Sequence, residues 1–138
     1  MTVRRVLLVA ENDDLLDGIA AWLATSPELE VAGRAHSGAE AIDRAVRLQA
    51  DLVIVDATLQ DMSGFQAARA LKSLQPAPRV LVMTFLDTRL AKLAALAAGA
   101  DGLVASPEIP QRLLPKIAEL FAPAEGLVET TQDGRISQ

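Results

Sequence analysis

Asp51-Leu52-Val53-Ile54-Val55-Asp56 sets four apolar residues between two carboxylates, and its reading decides the fold. A run this short and evenly apolar, bounded by polar residues, reads as a strand buried on both faces of a parallel sheet. Two more runs share the pattern: Val6-Leu7-Leu8-Val9 leads into Ala10-Glu11-Asn12-Asp13-Asp14, and Val80-Leu81-Val82-Met83 stops at Thr84. Ligands of open parallel sheets gather beyond the carboxyl ends of the strands. An acidic loop, a lone aspartate and a hydroxyl are therefore expected to share one crevice.

Outward from these runs, strand and helix patterns alternate five times. Strands are expected at about 3–10, 29–34, 51–56, 79–84 and 101–105, and helices at about 14–26, 38–49, 63–75, 87–98 and 110–121. Leu15, Leu16, Ile19, Trp22 and Leu23 recur at three-to-four spacing, with Pro27 just past them. Ser37-x-x-Glu40 and Ser63-x-x-Gln66 have the form of capping boxes. Gly99 suits the end of the fourth helix and Pro110 the first turn of the fifth, whose buried stripe is Leu113, Leu114, Ile117, Leu120 and Phe121. Five such units predict a single α/β domain, doubly wound, with a parallel sheet covered by helices on both faces. The domain is expected over residues 1–121, with 122–138 as a polar tail or linker in which Leu127 and Val128 are the apolar residues able to dock.

Composition narrows the function. The chain has 138 residues, one domain's worth, and 51% are hydrophobic, enough for a real core. Its apolar stretches break well before the ~20 residues a membrane helix needs, and the run behind Arg4 and Arg5 meets Glu11 too early for a signal peptide. A cytoplasmic location is expected. Without cysteine there are no disulfides or thiolate chemistry, and His36 is the single histidine. A net charge of −5 with scattered basic residues gives no electrostatic footprint for direct nucleic-acid binding by this chain.

In the expected crevice, Asp56 ends an apolar strand and Glu11 ends its neighbour. Two carboxylates side by side repel, so one protonates or a cation bridges them. Mg²⁺ suits one or two carboxylates with retained waters and a phosphate oxygen. A metal-held carboxylate can also attack phosphorus and become an aspartyl phosphate, and the Thr84 hydroxyl can donate to a phosphate oxygen. The plainer alternatives are a strand-end acid at 56, a solvated loop acid at 11 and a threonine satisfying backbone groups at 84. His36, Trp22 and Phe65 read as surface-loop and packing residues with no chemical role.

Here the residues resemble the receiver domain of two-component response regulators, over about residues 3–121. Asp51 to Gly64 is similar to the phosphoacceptor strand and its loop, and Val31 to Ile42 to the second strand and helix of the subfamily that often precedes a helix-turn-helix domain. Gly99-Ala100-Asp101-Gly102 resembles the turn before the fifth strand. The resemblance implies a flavodoxin-like (βα)5 domain with strand order 2-1-3-4-5. It also implies Asp56 as phosphoacceptor, and Glu11, Asp56 and the Thr58 carbonyl as Mg²⁺ ligands. Thr84 would be the switch hydroxyl. The implied donor is a sensor histidine kinase or phosphotransfer protein, and the implied enzymatic activity is at most the domain's own Mg²⁺-dependent phosphorylation and dephosphorylation.

The chain departs from that pattern at several positions. The first of two adjacent acids is Ala10; Asp13 or Asp14 could compensate, but Asp13 falls at the expected helix N-cap. The usual lysine after the fifth strand is Ser106, leaving phosphate charge to Mg²⁺ alone. Leu103 replaces the usual aromatic switch residue and Gln60 the usual loop proline. Pro107 is retained, so a cis Ser106–Pro107 bond is expected. Leu86 sets an apolar group two residues past Thr84, where it would shield an acyl phosphate from water. The fourth helix is apolar nearly all round; its alanines suit the sheet, while Leu90, Leu93 and Leu96, with Leu103, suit a partner surface such as a homodimer.

Three functions follow: a phosphate-accepting signalling receiver, a phosphate-independent interaction module on the same fold, or a small flavodoxin-like enzyme or nucleotide binder. The last is disfavoured because the first turn after a strand carries acids and no glycine to cradle a nucleotide phosphate. The sequence also leaves room for a DNA-binding domain in a longer parent chain.

Overall fold

The computed structural model describes residues 3–85, 88–105 and 109–122. The elements alternate as β1 (Arg4–Val9), α1 (Asp13–Leu23), β2 (Leu29–Ala35), α2 (Gly38–Arg47), β3 (Leu52–Asp56), α3 (Gly64–Lys72), β4 (Arg79–Thr84), α4 (Arg89–Ala98), β5 (Gly102–Ala105) and α5 (Ile109–Leu120). All neighbouring strands are parallel and their order is β2-β1-β3-β4-β5. The doubly wound fold expected above is the fold found.

Every residue of β3 is buried, as its unbroken apolar run requires. Successive side chains alternate between two layers. Val6, Leu8, Leu52, Ile54, Leu81, Met83 and Val104 pack with Leu16 and Ile19 of α1 and Leu113 and Ile117 of α5. On the other face Leu7, Val9, Val53, Val55, Val80 and Val82 pack with the alanines of α2 and α3, Leu71, and Ala98 of α4.

Several ends shift from their expected places for local reasons. The N-cap of α1 is Asn12, whose side chain accepts from the N–H groups of Asp14 and Leu15 at 2.8 and 3.2 Å. Asp13 is thus the first helical residue, not the cap. α1 stops at Leu23 because a turn through Ser26 precedes Pro27. α2 stops at Arg47 because Gln49 turns into the left-handed region at φ 52°. Ser63 and Gln66 make a complete capping box. The Ser37 side chain caps Glu40 N–H, but the Glu40 carboxylate reaches past Ser37 to His36 N–H at 2.7 Å. Gly99 caps α4 at φ 78°. Asp101 holds the frame together, because its carboxylate accepts from Val80 N–H and Lys72 Nζ, both at 2.8 Å, and so pins α3 and β4 to each other ahead of β5. Ser106, Pro107, Leu86 and the tail from 123 onward, Leu127 and Val128 among it, lie outside the described residues.

Candidate functional site

Strand register builds the site. Val9 pairs with Val55, so the next residues, Ala10 and Asp56, stand level at the carboxyl edge of the sheet. Asp56 pairs with Met83 on its other side, and Ala57 N–H donates to the Met83 carbonyl at 2.8 Å, so Thr84 begins where Asp56 ends. Glu11 follows Ala10 at the same edge. Adjacent strands lie about 4.8 Å apart. The acid of the first loop, the lone aspartate and the hydroxyl thus meet at one rim, as the strand ends alone suggest.

Among the described residues Asp56 and Thr84 are the polar side chains buried in an otherwise apolar core, at 9% and 6% exposure. Burial pushes the Asp56 carboxyl up from its ordinary value; the nearby charge of Glu11 pushes the same way, and the N–H of Thr58, donating to Oδ1 at 3.1 Å, offsets part of it. Ala10 is fully buried among the apolar layer of α1 and α5, where an acid at this position would face Asp56 directly. Among the described residues no three acidic or histidine side chains gather as a metal cluster. Two carboxylates remain, Asp56 and the nearby Glu11, oxygen donors of the kind a hydrated Mg²⁺ accepts.

The loop from Ala57 to Ser63 folds back tightly. Gly64 N–H donates to the Ala57 carbonyl at 2.8 Å, and a Cβ at Gly64 would strike the Asp56 carbonyl oxygen and Ala57 Cα. Asp61, which sequence reasoning passes over, accepts from the N–H groups of Gly38 and Ala39 at 2.9 and 3.0 Å. His36, expected to be a loop residue without a chemical role, sets its Nε2 2.8 Å from Asp13. That hydrogen bond holds Asp13 below the ordinary carboxylate value, with Arg34 adding to it.

A surface also stands out. Ala91, Ala95 and Ala98 turn inward, whereas Leu90, Leu93 and Leu96 are 76%, 51% and 74% exposed. Phe85, which no sequence pattern marks, is 65% exposed beside Thr84. Leu103 is half-buried and packs on the core.

The doubly wound sheet, with its order β2-β1-β3-β4-β5 and five covering helices, is the fold of receiver domains. The response regulator receiver domain family matches residues 6–118, and the chain belongs to that family. It is 35% identical over 104 residues to the response regulator protein VraR of Staphylococcus aureus, an alignment covering 75% of this chain and 49% of the relative. The chain therefore spans about half the length of the curated relatives it matches. Among solved structures it is similar to a LuxR-family two-component response regulator from Aurantimonas (28% identical, TM-score 0.81, 86% of each chain covered). The receiver domain of the putative regulator NarL from Mycobacterium tuberculosis shares the fold at 24% identity and TM-score 0.80, with 86% and 96% covered. No helix among the described residues is long and apolar enough to cross a membrane.

Proposed function

We propose that this receiver accepts a phosphoryl group on Asp56 from a phosphohistidine of a sensor kinase or phosphotransfer protein, in the cytoplasm. The observation that carries the reading is a buried carboxylate at the crest of β3, raised in pKa by burial and by Glu11. Such a group is held out of its preferred solvation and is a stronger nucleophile once ionised. Oδ1 is engaged by Thr58 N–H, leaving Oδ2 to attack phosphorus. The new P–O bond forms as the P–N bond to the donor imidazole breaks, and the imidazole leaves by taking up a proton. Thr84, which ends β4, would donate its hydroxyl to the phosphoryl group. Glu11, Asp56 and the Thr58 carbonyl would hold Mg²⁺, which supplies charge neutralisation for the transferring group. The output is carried by the α4-β5-α5 face, and in a longer chain by a DNA-binding domain.

With Mg²⁺ and beryllofluoride, the protein is expected to gain heat stability and the corresponding adduct signal in ¹⁹F spectra, both lost in Asp56→Asn. Without metal, the substitution has the opposite sign. Because the folded pKa of Asp56 lies above its unfolded value, ionised Asp56 costs stability as pH rises through that folded value. Asp56→Asn is therefore expected to raise apo stability at pH 7 by about 1 kcal/mol, with the gain fading as pH falls and gone below the ordinary carboxylate value, where wild-type Asp56 is protonated in both states. A wild type that ignores beryllofluoride at millimolar Mg²⁺ would favour the second reading, a phosphate-independent interaction module. One observation points that way: Ala10, buried where the family keeps an acid.

The exposed leucines of α4 fit a second copy of the chain, since they lie on the side of the helix opposite the alanines that pack inward and carry no charge of their own. Leu96→Glu leaves the core untouched and is expected to halve the solution mass measured by light scattering under conditions where the parent is dimeric. A dimer mass that persists in Leu96→Glu would remove this face from the assembly.

A further inference from the structure

The two loops that carry the proposed site are tied to one short segment, the turn into α2. On one side, His36 Nε2 lies 2.8 Å from Oδ1 of Asp13, the first residue of α1, just past the loop that carries Glu11. On the other, Asp61 Oδ1 and Oδ2 accept from Gly38 and Ala39 N–H, residues 23 and 22 positions away. A helix start leaves its first N–H groups without internal partners. Here the Ser37 side chain takes Glu40 N–H at 3.1 Å and Asp61 takes the two before it. The Met62 side chain closes the junction, lying where a Cβ on Gly38 would be, 2.5 Å from its Cγ and Sδ. These backbone donors hold Asp61 below the ordinary carboxylate value, Gly38 first and Ala39 second.

The loop so clamped runs from Ala57 to Ser63 and contains Thr58, whose N–H orients Asp56. Gln60 stands in it where the family resemblance implies a proline, a residue that limits a loop's unfolded conformations. The Asp61 carboxylate ties this loop to α2 through two long-range hydrogen bonds.

We propose that Asp61 is a positioning residue of the phosphoryl site, capping α2 so as to fix the 57–63 loop and with it the Thr58 backbone that faces Asp56 and the metal. This rests on the reading of Asp56 as phosphoacceptor. Partners one shell out from a metal typically change its affinity by about 10–100-fold when removed. Asp61 acts through backbone groups, so the lower end of that range applies.

The test uses the full chain with Asp61→Ala, Asp61→Asn and, as a control for general loss of stability, Lys72→Met, which breaks the Asp101 contact at the opposite end of the sheet. Apparent affinity for Mg²⁺ with beryllofluoride is read beside amide hydrogen exchange. Asp61→Ala is expected to weaken affinity about tenfold and to speed exchange at Gly64. Asp61→Asn, whose amide keeps one acceptor, should fall between, and Lys72→Met should match wild type in affinity. If wild type binds and Asp61→Ala binds within twofold of it, the proposal is overturned. The same holds if Lys72→Met weakens binding as much as Asp61→Ala does. If wild type itself fails to bind, the phosphoacceptor reading fails, and exchange alone decides the clamp: faster exchange at Gly64 in Asp61→Ala upholds it, and unchanged exchange overturns it.

Discussion

Gly64→Ala is expected to cost about 3 kcal/mol of stability, at the severe end of overpacking substitutions, and to lower the melting temperature by roughly 10 °C. The reason is local and steric. A single methyl at this position would meet the Asp56 carbonyl oxygen and the Ala57 Cα, both backbone atoms that cannot swing aside as a side chain can. Relief requires α3 to move away from β3, which breaks the Gly64 N–H bond to the Ala57 carbonyl and carries the Ser63–Gln66 capping box with it. Gly38 offers the contrast: the three nearest neighbours of its added Cβ would all be side-chain atoms of Met62, a flexible thioether chain and not backbone, so Gly38→Ala is milder. Urea denaturation of the two variants checks the difference. Equal losses would show that the turn after Asp56 is looser than its geometry indicates. Because the displaced backbone is that of Asp56 and Ala57, the Gly64 variant should also lose the beryllofluoride response at temperatures where it is still folded.

The fold is legible because three strands are apolar along their whole length and end abruptly in polar residues. A strand buried on both faces leaves that mark whatever surrounds it. The strand order is not readable from periodicity, which is blind to which strand neighbours which; it comes with the family resemblance. Helices α1, α2 and α3 end two or three residues before their periodic patterns do, where the outcome turns on backbone details such as the left-handed Gln49. Asn12 and Asp13 are both good caps, and only the reach of the Asn12 side chain to two N–H groups separates them. Within the site, Glu11, Asp56 and Thr84 are legible as strand-end residues. The roles of Asp61 and of the His36 ring are not, since the partners of the Asp61 carboxylate and of His36 Nε2 lie 22 or more positions away in the chain. Phe85 is hidden for a different reason: its exposure follows from the chain leaving the sheet just after Thr84.

Ala10→Asp is expected to raise Mg²⁺ affinity at least about tenfold while lowering apo stability by about 2 kcal/mol. Both effects come from one location. Ala10 has no exposed surface, packs with Leu8 and Leu16, and stands level with Asp56 on the adjoining strand. A carboxylate there would be buried beside a carboxyl group already raised in pKa by burial and by Glu11, so the metal-free protein would carry three mutually repelling acids. A divalent cation reverses the balance, because the third carboxylate adds an anionic oxygen ligand and the repulsion becomes attraction to the ion. Metal binding to the folded state alone stabilises by an amount that grows with concentration over affinity, about 2.7 kcal/mol at a hundredfold excess. The variant's melting temperature should therefore lie below the parent's in chelator and climb more steeply with added Mg²⁺, crossing it at millimolar metal. Calorimetric titration with Mg²⁺, repeated in Asp56→Asn, would show whether the gain depends on both carboxylates. If Ala10→Asp loses stability with no gain in metal affinity, Glu11 and Asp56 do not converge on a cation, and the phosphate-independent reading of this receiver stands.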